Sequence, residues 1–146
     1  MKKYFELAQN IADIFSHDEK IKVGAVILDR KNFDILSVGY NRFSDIEDEN
    51  LIKQFNESPS KYNLMSHAEY MAIERAKKYN LPVDNNIIIT TLFPCWDCAE
   101  LIVKNKLSKV FTYKRPLRGP WWDDEPVLEL FENNKVEIYY DYNEYE

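Results

Sequence analysis

The sequence predicts a single α/β domain in which three layers, α/β/α, are built on a mixed five-stranded sheet. Three observations lead to this expectation: the chain has 146 residues, it is 45% hydrophobic and 30% charged, and helices alternate with strands after an opening hairpin. A chain of this length supports one hydrophobic core of ordinary size. Alternating helices and strands cover both faces of a sheet with helices. We therefore expect residues 1–146 to form one domain.

The first part of the chain predicts a helix followed by a β-hairpin. Apolar residues recur at helical spacing through residues 3–15, which indicates an amphipathic helix. The apolar runs 23–28 and 35–40 are joined by a polar turn and predict two paired strands. Residues 41–63 are mostly polar, and we expect part loop and part short helix there. Loops of this length often border a functional site.

The second part of the chain alternates helices with strands. Helical spacing returns over residues 66–79, and Leu81-Pro82 ends that helix. Pro94 fits the first position of a later helix, where its missing N–H would have no partner in any case. The remaining predicted elements are strand 86–91, helix 95–106, strand 110–113, helix 125–132 and strand 136–140.

Charge and hydropathy exclude several classes of protein. The formal net charge is -6, so the surface repels the phosphate backbone of a nucleic acid and disfavours such a partner. No apolar run approaches the roughly 18 residues of a membrane span. The polar start Met1-Lys2-Lys3 lacks the hydrophobic region of a signal peptide. We therefore expect a cytoplasmic protein with no membrane partner.

Five residues form a pattern that is typical of zinc deaminases. His67 and Glu69 give H-x-E, and Pro94 with Cys95 and Cys98 gives P-C-x-x-C. One imidazole and two thiolates fill three corners of a zinc tetrahedron and leave the fourth open for water. Two cysteines three residues apart face one side of a first helical turn, whose positive end favours thiolates. We therefore predict a catalytic zinc site.

Glu69 has a separate role in this hypothesis. It is two residues from His67, so its side chain is not directed at the metal as the His67 ring is, but it can reach the water that the metal binds. Zinc lowers the pKa of that water from about 16 towards roughly 7. Glu69 would take the water's proton, deliver it to a ring nitrogen of the substrate and later protonate the departing ammonia.

Other interpretations of the same residues stay open at this point. Ser66 and Glu69 also form an S-x-x-E capping box. The Cys-x-x-Cys pair could be a redox pair, since two cysteines exclude a disulfide framework but not a dithiol. A structural zinc would need a fourth protein ligand, for which His17 is the remaining histidine. His17 lies in a charged segment, where an exposed position is the better expectation.

These motifs resemble the deoxycytidylate deaminases within the cytidine deaminase superfamily. Residues 16–28 resemble the family's first strand, and residues 35–41 resemble its second. Lys61-Tyr62 and His67-Ala68-Glu69 are similar to its metal helix, and residues 92–99 to its second metal motif. Trp122-Asp123-Asp124 resembles a stretch found in phage members. The resemblance implies a cytidine-deaminase-like fold.

The resemblance also implies an activity, a hydrolase reaction at a cyclic amidine C–N bond that converts deoxycytidine monophosphate (dCMP) to deoxyuridine monophosphate (dUMP) and ammonia for thymidylate synthesis. It implies zinc ligands at His67, Cys95 and Cys98, and an acid/base at Glu69. It further implies substrate contacts from the side chain of Asn41 and from the backbone around Ala68 and Pro94. Family members usually assemble as homo-oligomers, and some respond to the triphosphates dCTP and dTTP.

The phosphate contacts are the least defined part of this expectation. Arg42 follows Asn41 where the family usually has Gly, and Met71 stands where the family often has Asn. A Met at this position is also seen in the similar tRNA adenosine deaminases. Arginine favours bidentate oxyanion contacts. Cations on segments near the site are the candidates: Lys22, Arg42, Lys61, Arg115 and Arg118. Aromatic side chains that could stack on a base are Phe93, Trp121 and Trp122.

Two alternative functions follow from the same residues. A deaminase of another cytosine nucleoside or nucleotide, or of a base within tRNA or single-stranded DNA, would use the same metal site, although a polymer calls for a basic surface. A catalytically silent deaminase-fold module that binds nucleotides would have no chemical need for Glu69.

Overall fold

The computed structural model describes residues 1–43, 46–113 and 124–140. Its helices and strands follow one another along the chain as α1 (Lys2–Phe15), β1 (Gly24–Leu28), β2 (Ile35–Tyr40), β3 (Arg42–Phe43), α2 (Glu49–Glu57), α3 (Lys61–Leu64), β4 (Met65–Ser66), α4 (Ala68–Lys78), β5 (Ile87–Thr90), α5 (Trp96–Lys104), β6 (Lys109–Thr112), α6 (Glu125–Asn133) and β7 (Glu137–Tyr139).

The main sheet has five strands in the order β2-β1-β5-β6-β7. Strand β1 pairs antiparallel with β2 and with β5, whereas β5, β6 and β7 run parallel to one another. Short turns suffice for an antiparallel pair, but each parallel pair needs a crossover, which here contains α5 or α6. The mixed five-stranded α/β fold predicted from the sequence is confirmed.

Side-chain alternation along the central strands divides the core into two layers. Val26 and Leu28 of β1 pack towards α1 with Phe5 and Ala8. Ala25 and its neighbours on the opposite face pack with residues of α4, α5 and α6. Because successive side chains of a strand point to opposite faces, a fully buried strand carries apolar residues at every position.

Gly39 allows α4 to lie unusually close to β2. A Cβ atom at this position would be 2.2 Å from the backbone oxygen of Ala68 and 2.6 Å from the backbone nitrogen of Ala72. Only a residue without a side chain fits this approach. Gly39 therefore sets how closely the first turn of α4, which carries Glu69, lies against the sheet.

The segment 41–63 contains more structure than the sequence indicates. Strand β3 in this segment pairs with β4 in a separate two-stranded sheet, and α2 begins at an N-cap, Asp48, whose side chain accepts hydrogen bonds from the N–H groups of Asn50 and Leu51. Strands of two residues carry no periodic signal, so the sequence could not predict this small sheet.

Two local predictions at helix starts are wrong. Ser66 lies in β4 and α4 begins after His67, which is the N-cap without a side-chain capping bond, so the S-x-x-E capping box does not form. Pro94 precedes the N-cap Cys95 of α5 instead of occupying the first helical position. In both cases the residue that acts as the N-cap, His67 or Cys95, also belongs to a cluster of side chains at the two helix starts.

Within the described ranges, every helix falls short of the length and apolar character required to cross a bilayer.

Candidate active site

The N-terminal ends of α4 and α5 bring one histidine and two cysteines together. His67 and Cys95 are the N-cap residues of these helices, and Cys98 lies in the first turn of α5. His67 Nδ1 is 3.4 Å from Cys95 Sγ and 3.3 Å from Cys98 Sγ. The residue that follows β4 and the residues that follow β5 thus meet at one point.

These three side chains fit a tetrahedral zinc ion. Their ligand atoms all lie within 4.8 Å of one another. Zn–N bonds of about 2.0 Å and Zn–S bonds of about 2.3 Å imply N···S separations of roughly 3.5 Å in a tetrahedron, close to the two measured distances. His67 is exposed, Cys95 is half-buried and Cys98 is buried. The group could therefore hold a metal ion.

His17 does not join this cluster. Its Nδ1 accepts a hydrogen bond from the backbone N–H of Phe43 at 3.1 Å, and the two rings lie 5.9 Å apart, centroid to centroid. Burial and the neighbouring Arg42 lower the pKa of His17. The expectation that His17 is an exposed residue is wrong, because its ring is half-buried against Phe43.

The two thiols differ strongly in acidity. The hydrogen bond from Cys98 and, to a smaller extent, the one from His67 lower the pKa of Cys95 to about 4. The same bond to Cys95, together with burial, raises the pKa of Cys98. The hydrogen bond to Cys95 also raises the pKa of His67. Because thiolates and not thiols bind metals, a metal ion bound here must displace the proton of the Cys98 thiol.

Glu69 lies beside this cluster on the first turn of α4. Its side chain is buried, and Oε1 accepts a hydrogen bond from Thr90 Oγ1 at 2.7 Å. Burial raises the pKa of Glu69, although hydrogen bonds from Cys98 and Thr90 act in the opposite direction. The raised pKa favours the protonated form of this carboxyl group, and a group that can exchange a proton beside the cavity is what general acid/base catalysis requires.

A cavity of about 420 Å³ opens in front of the cluster. Its volume is in the range of sites for small molecules, and most of its wall is apolar, as in such sites generally. The residues that form the wall are Asp18, Ile21, Val23, Asn41, Tyr62, Met65, His67, Ala68, Glu69, Leu92, Phe93 and Cys95.

The predicted substrate contacts fall into three groups. Asn41, Ala68 and Phe93 line the cavity. Lys22, Arg42 and Pro94 are outside its wall, and Arg42 Nη2 lies 3.3 Å from Glu47 Oε1. Arg115, Arg118, Trp121 and Trp122 lie outside the described residues. The substrate contacts of all these residues stay predictions.

The side-chain amide of Asn41 also holds the cavity wall together. Its oxygen accepts hydrogen bonds from Ser16 Oγ and from the backbone N–H of Val23. Its nitrogen donates to the backbone oxygen of Ile21 at 2.8 Å and to Met65 Sδ at 3.2 Å. A thioether is a weak acceptor, so a substrate oxygen could replace Met65 at this nitrogen without disturbing the other three bonds.

Sequence reasoning missed two features beside the cavity. Asp18 Oδ1 lies 2.7 Å from Lys61 Nζ, and the two side chains are 1% and 7% exposed. Tyr62, which follows Lys61, forms part of the cavity wall. Asp18 stands in a charged segment that is typical of a surface, and its partner is distant in the sequence, so no local pattern could have indicated this buried ion pair.

Comparisons with known proteins agree with this site. Residues 1–114 match the family model described as the cytidine and deoxycytidylate deaminase zinc-binding region. That match and the His/Cys/Cys group confirm the expectation of zinc as cofactor.

Similar curated proteins include two kinds of deaminase. A probable deoxycytidylate deaminase from Caenorhabditis elegans is 31% identical over 112 residues, which is 75% of this chain and 55% of that protein. A tRNA-specific adenosine deaminase from Rickettsia bellii is 31% identical over 102 residues, 68% of this chain and 60% of that protein. The alignments thus span little more than half of these relatives.

A solved structure shows the same fold. The dCMP deaminase from the cyanophage S-TIM5, in complex with dCMP and dUMP, superposes with a TM-score of 0.69 at 22% identity and covers 95% of this chain and 94% of its own.

Proposed function

This chain belongs to the cytidine and deoxycytidylate deaminase family, and we propose that it hydrolyses dCMP to dUMP and ammonia, a reaction that would supply thymidylate synthesis. The observation that carries the proposal is the position of Glu69, whose buried carboxyl group faces the same cavity as His67 and Cys95. A silent binding module would gain nothing from a buried acid at this point, since burying a carboxyl group costs free energy.

His67, Cys95 and Cys98 would hold the zinc ion. When bound, zinc supplies Lewis acidity that lowers the pKa of water from about 16 to about 7. The three residues contribute binding and orientation, because their helix starts fix them on one side of the cavity. Cys98 is buried behind the cavity wall, whereas His67 and Cys95 form part of that wall.

Glu69 would move the protons of the reaction. Its carboxylate accepts a proton as the oxygen of water bonds to the amine-bearing carbon, and it delivers that proton to the adjacent ring nitrogen. Glu69 then takes the remaining proton of the added oxygen and passes it to the amine, the carbon–nitrogen bond breaks, and ammonia leaves while the carbonyl of dUMP forms. The Thr90 hydroxyl, 2.7 Å from Glu69 Oε1, keeps the carboxyl group aligned for both transfers.

The cavity supports a pyrimidine nucleotide as the substrate. An apolar wall suits a base, and the amide of Asn41 offers a contact for a sugar oxygen. The backbone at Ala68 and Pro94 would border the base edge. We assign the phosphate to cations beyond the described wall of the cavity, with Lys22, Arg42 and Arg115 as candidates.

A second candidate function is the deamination of adenosine in tRNA. The similarity to the Rickettsia bellii enzyme favours it, as does Met71 at the position where such enzymes also have Met. The net charge of -6 argues against a nucleic-acid substrate.

Assembly, regulation and location remain proposals that rest on the family. We propose a homo-oligomer in the cytoplasm. Control by dCTP or dTTP is part of the same proposal.

The experiment that tests the function is ammonia release by the zinc-loaded protein. The panel contains cytidine, deoxycytidine, their mono- and triphosphates, and a stem-loop RNA. We expect turnover of dCMP, and a loss of at least about 100-fold in Glu69→Ala with zinc content unchanged. The matched control is Glu74→Ala, because Glu74 is an exposed acid on the same helix, 3.9 Å from Lys77, and its removal should leave turnover intact.

The panel also separates the alternatives. Turnover of the stem-loop RNA alone would replace the proposal with the tRNA function. A wild-type protein that binds zinc but releases ammonia from none of these substrates would contradict both functions.

A further inference from the structure

Tyr62 stands out among the aromatic residues of the cavity wall. Tyr62 and Phe93 are the two aromatic side chains among the described residues that line the cavity. Phe93 is 3% exposed and packs edge-on against Tyr140, so it belongs to the core. Tyr62 is 57% exposed. An aromatic ring in a cavity wall that is not covered by the protein's own core offers a large apolar surface to a ligand.

The chain next to Tyr62 is firmly anchored. Lys61 lies in a buried ion pair with Asp18, at 2.7 Å. The same carboxyl oxygen of Asp18 accepts hydrogen bonds from the backbone N–H groups of Lys20 and Ile21, at 2.8 and 3.1 Å. Helix α3 is therefore tied to the loop before β1 immediately before the exposed ring. Such an anchor reduces the conformational entropy that the ring loses when a ligand covers it.

The surroundings of Tyr62 favour a flat apolar partner. Ile21 and Met65 flank the same cavity, and Ile21 is 38% exposed. The described residues of the wall include no lysine or arginine, and the neighbouring Lys61 is paired with Asp18. A phosphate therefore finds no unpaired cation in the described wall near this ring. A pyrimidine ring is the part of a nucleotide that matches this chemistry, because bases stack favourably on aromatic side chains.

We propose that Tyr62 is a substrate-binding residue that stacks on the pyrimidine base of the bound nucleotide. This inference rests on the proposed function, because that proposal identifies the bound nucleotide as a pyrimidine monophosphate. Tyr62 holds the base in the cavity while His67, Glu69 and Cys95 face its amine-bearing edge. The aromatic ring of Tyr62 makes the contact with the base, and its hydroxyl group is not required for binding.

The test is the affinity of the full-length, zinc-loaded protein for dUMP, measured by calorimetry. We expect Tyr62→Ala to weaken dUMP binding about tenfold, the size of effect that loss of one stacked base produces. Tyr62→Phe should bind within about twofold of the wild type, whereas Tyr62→Leu should resemble the alanine variant because it lacks a π face. Melting temperature and zinc content show that each variant is folded.

Tyr79→Ala is the matched control. Tyr79 is 64% exposed, it follows a lysine as Tyr62 does, and the ammonium of Lys78 lies 5.8 Å from its ring centroid, compared with 5.5 Å for Lys61 and Tyr62. It is not part of the cavity wall. Its removal should leave the affinity for dUMP unchanged.

Three results would overturn the inference. Wild-type affinity in Tyr62→Ala excludes any contact, equal affinities of the leucine and phenylalanine variants exclude stacking, and an equal loss in Tyr79→Ala makes the effect non-specific. In each of these cases the wild type still binds dUMP and releases ammonia from dCMP, so the proposed function survives. A wild type that neither binds dUMP nor deaminates dCMP overturns the function and, with it, the stacking assignment.

Discussion

At the scale of single residues, the surroundings of the cavity combine a cluster of one histidine and two cysteines with a buried ion pair between Asp18 and Lys61. The H-x-E and P-C-x-x-C spacings predict His67, Cys95 and Cys98 as one group, and the structure brings their ligand atoms within 4.8 Å of one another. Asp18 and Lys61 form a buried ion pair that no spacing indicates. Their partnership exists only because the loop before β1 and α3 meet in three dimensions.

That ion pair leads to a stability prediction. Lys61→Met should lower the free energy of unfolding at pH 7 by about 3 kcal/mol, because it leaves the buried carboxylate of Asp18 without its cation. The matched control is Lys77→Met, which breaks an exposed pair of 3.9 Å with Glu74 and should change the free energy by less than about 1 kcal/mol. Urea unfolding measures both.

The pH dependence of the Lys61→Met effect follows from the acidity of Asp18. Burial alone would raise the pKa of this carboxyl group, but hydrogen bonds from Lys61, Lys20 and Ile21 outweigh burial and lower it. A lowered pKa stabilises the folded state above the unfolded pKa of about 4, and this contribution is lost as the pH falls through the folded value. The difference between wild type and variant should therefore shrink below about pH 4. A difference that grows in acid would contradict this account.

The proton held by Cys98 leads to a second prediction at this scale. Zinc binding to the metal-free protein at pH 7 should release protons, since the raised pKa of Cys98 keeps its thiol protonated until metal displaces the proton. Affinity should fall as the pH is lowered. Calorimetry in buffers of different ionisation enthalpy measures the release, and a binding enthalpy that is the same in every buffer would refute it.

At the scale of elements, periodic segments could be predicted and cap residues could not. The expected strand 35–40 is the observed β2, Ile35–Tyr40, and α1, β1 and β5 begin and end within one residue of expectation. The starts of α4 and α5 differ because His67 and Cys95 act as N-caps while they contribute to the metal-ligand group. A local capping rule cannot anticipate a side chain that is needed elsewhere.

The contact between β2 and α4 leads to a prediction about Gly39. Gly39→Ala should destabilise the fold by about 1 to 3 kcal/mol and weaken zinc binding, because its Cβ would lie 2.2 Å from the backbone oxygen of Ala68, next to His67. The control is Ser37→Ala on the same strand, which removes a 2.7 Å hydrogen bond to the backbone oxygen of Ala72 without any clash. It should cost about 1 kcal/mol and leave zinc affinity unchanged. Equal zinc affinity in Gly39→Ala would show that α4 can shift without moving the ligands.

At the scale of the whole molecule, layer architecture could be predicted because it follows from the order of elements. Strands that alternate with helices require crossovers, and these cover both faces of the sheet. Substrate choice could not be predicted in the same way. The cavity selects by shape and polarity, and its wall combines residues from the loop before β1, from Asn41 between β2 and β3, from α3, β4 and α4, and from the segment after β5. Only the folded chain brings these segments to one place.

The measurement that tests the central claim most directly is the fate of water oxygen during turnover of dCMP. The zinc-loaded protein is incubated with dCMP in water enriched in oxygen-18, and the nucleotide product is analysed by mass spectrometry. Hydrolytic deamination predicts dUMP that carries the heavy isotope on the former amine-bearing carbon, with one ammonia released per dUMP and no label acquired by dUMP incubated alone. Unchanged dCMP, or a product without the heavy oxygen, would contradict the account.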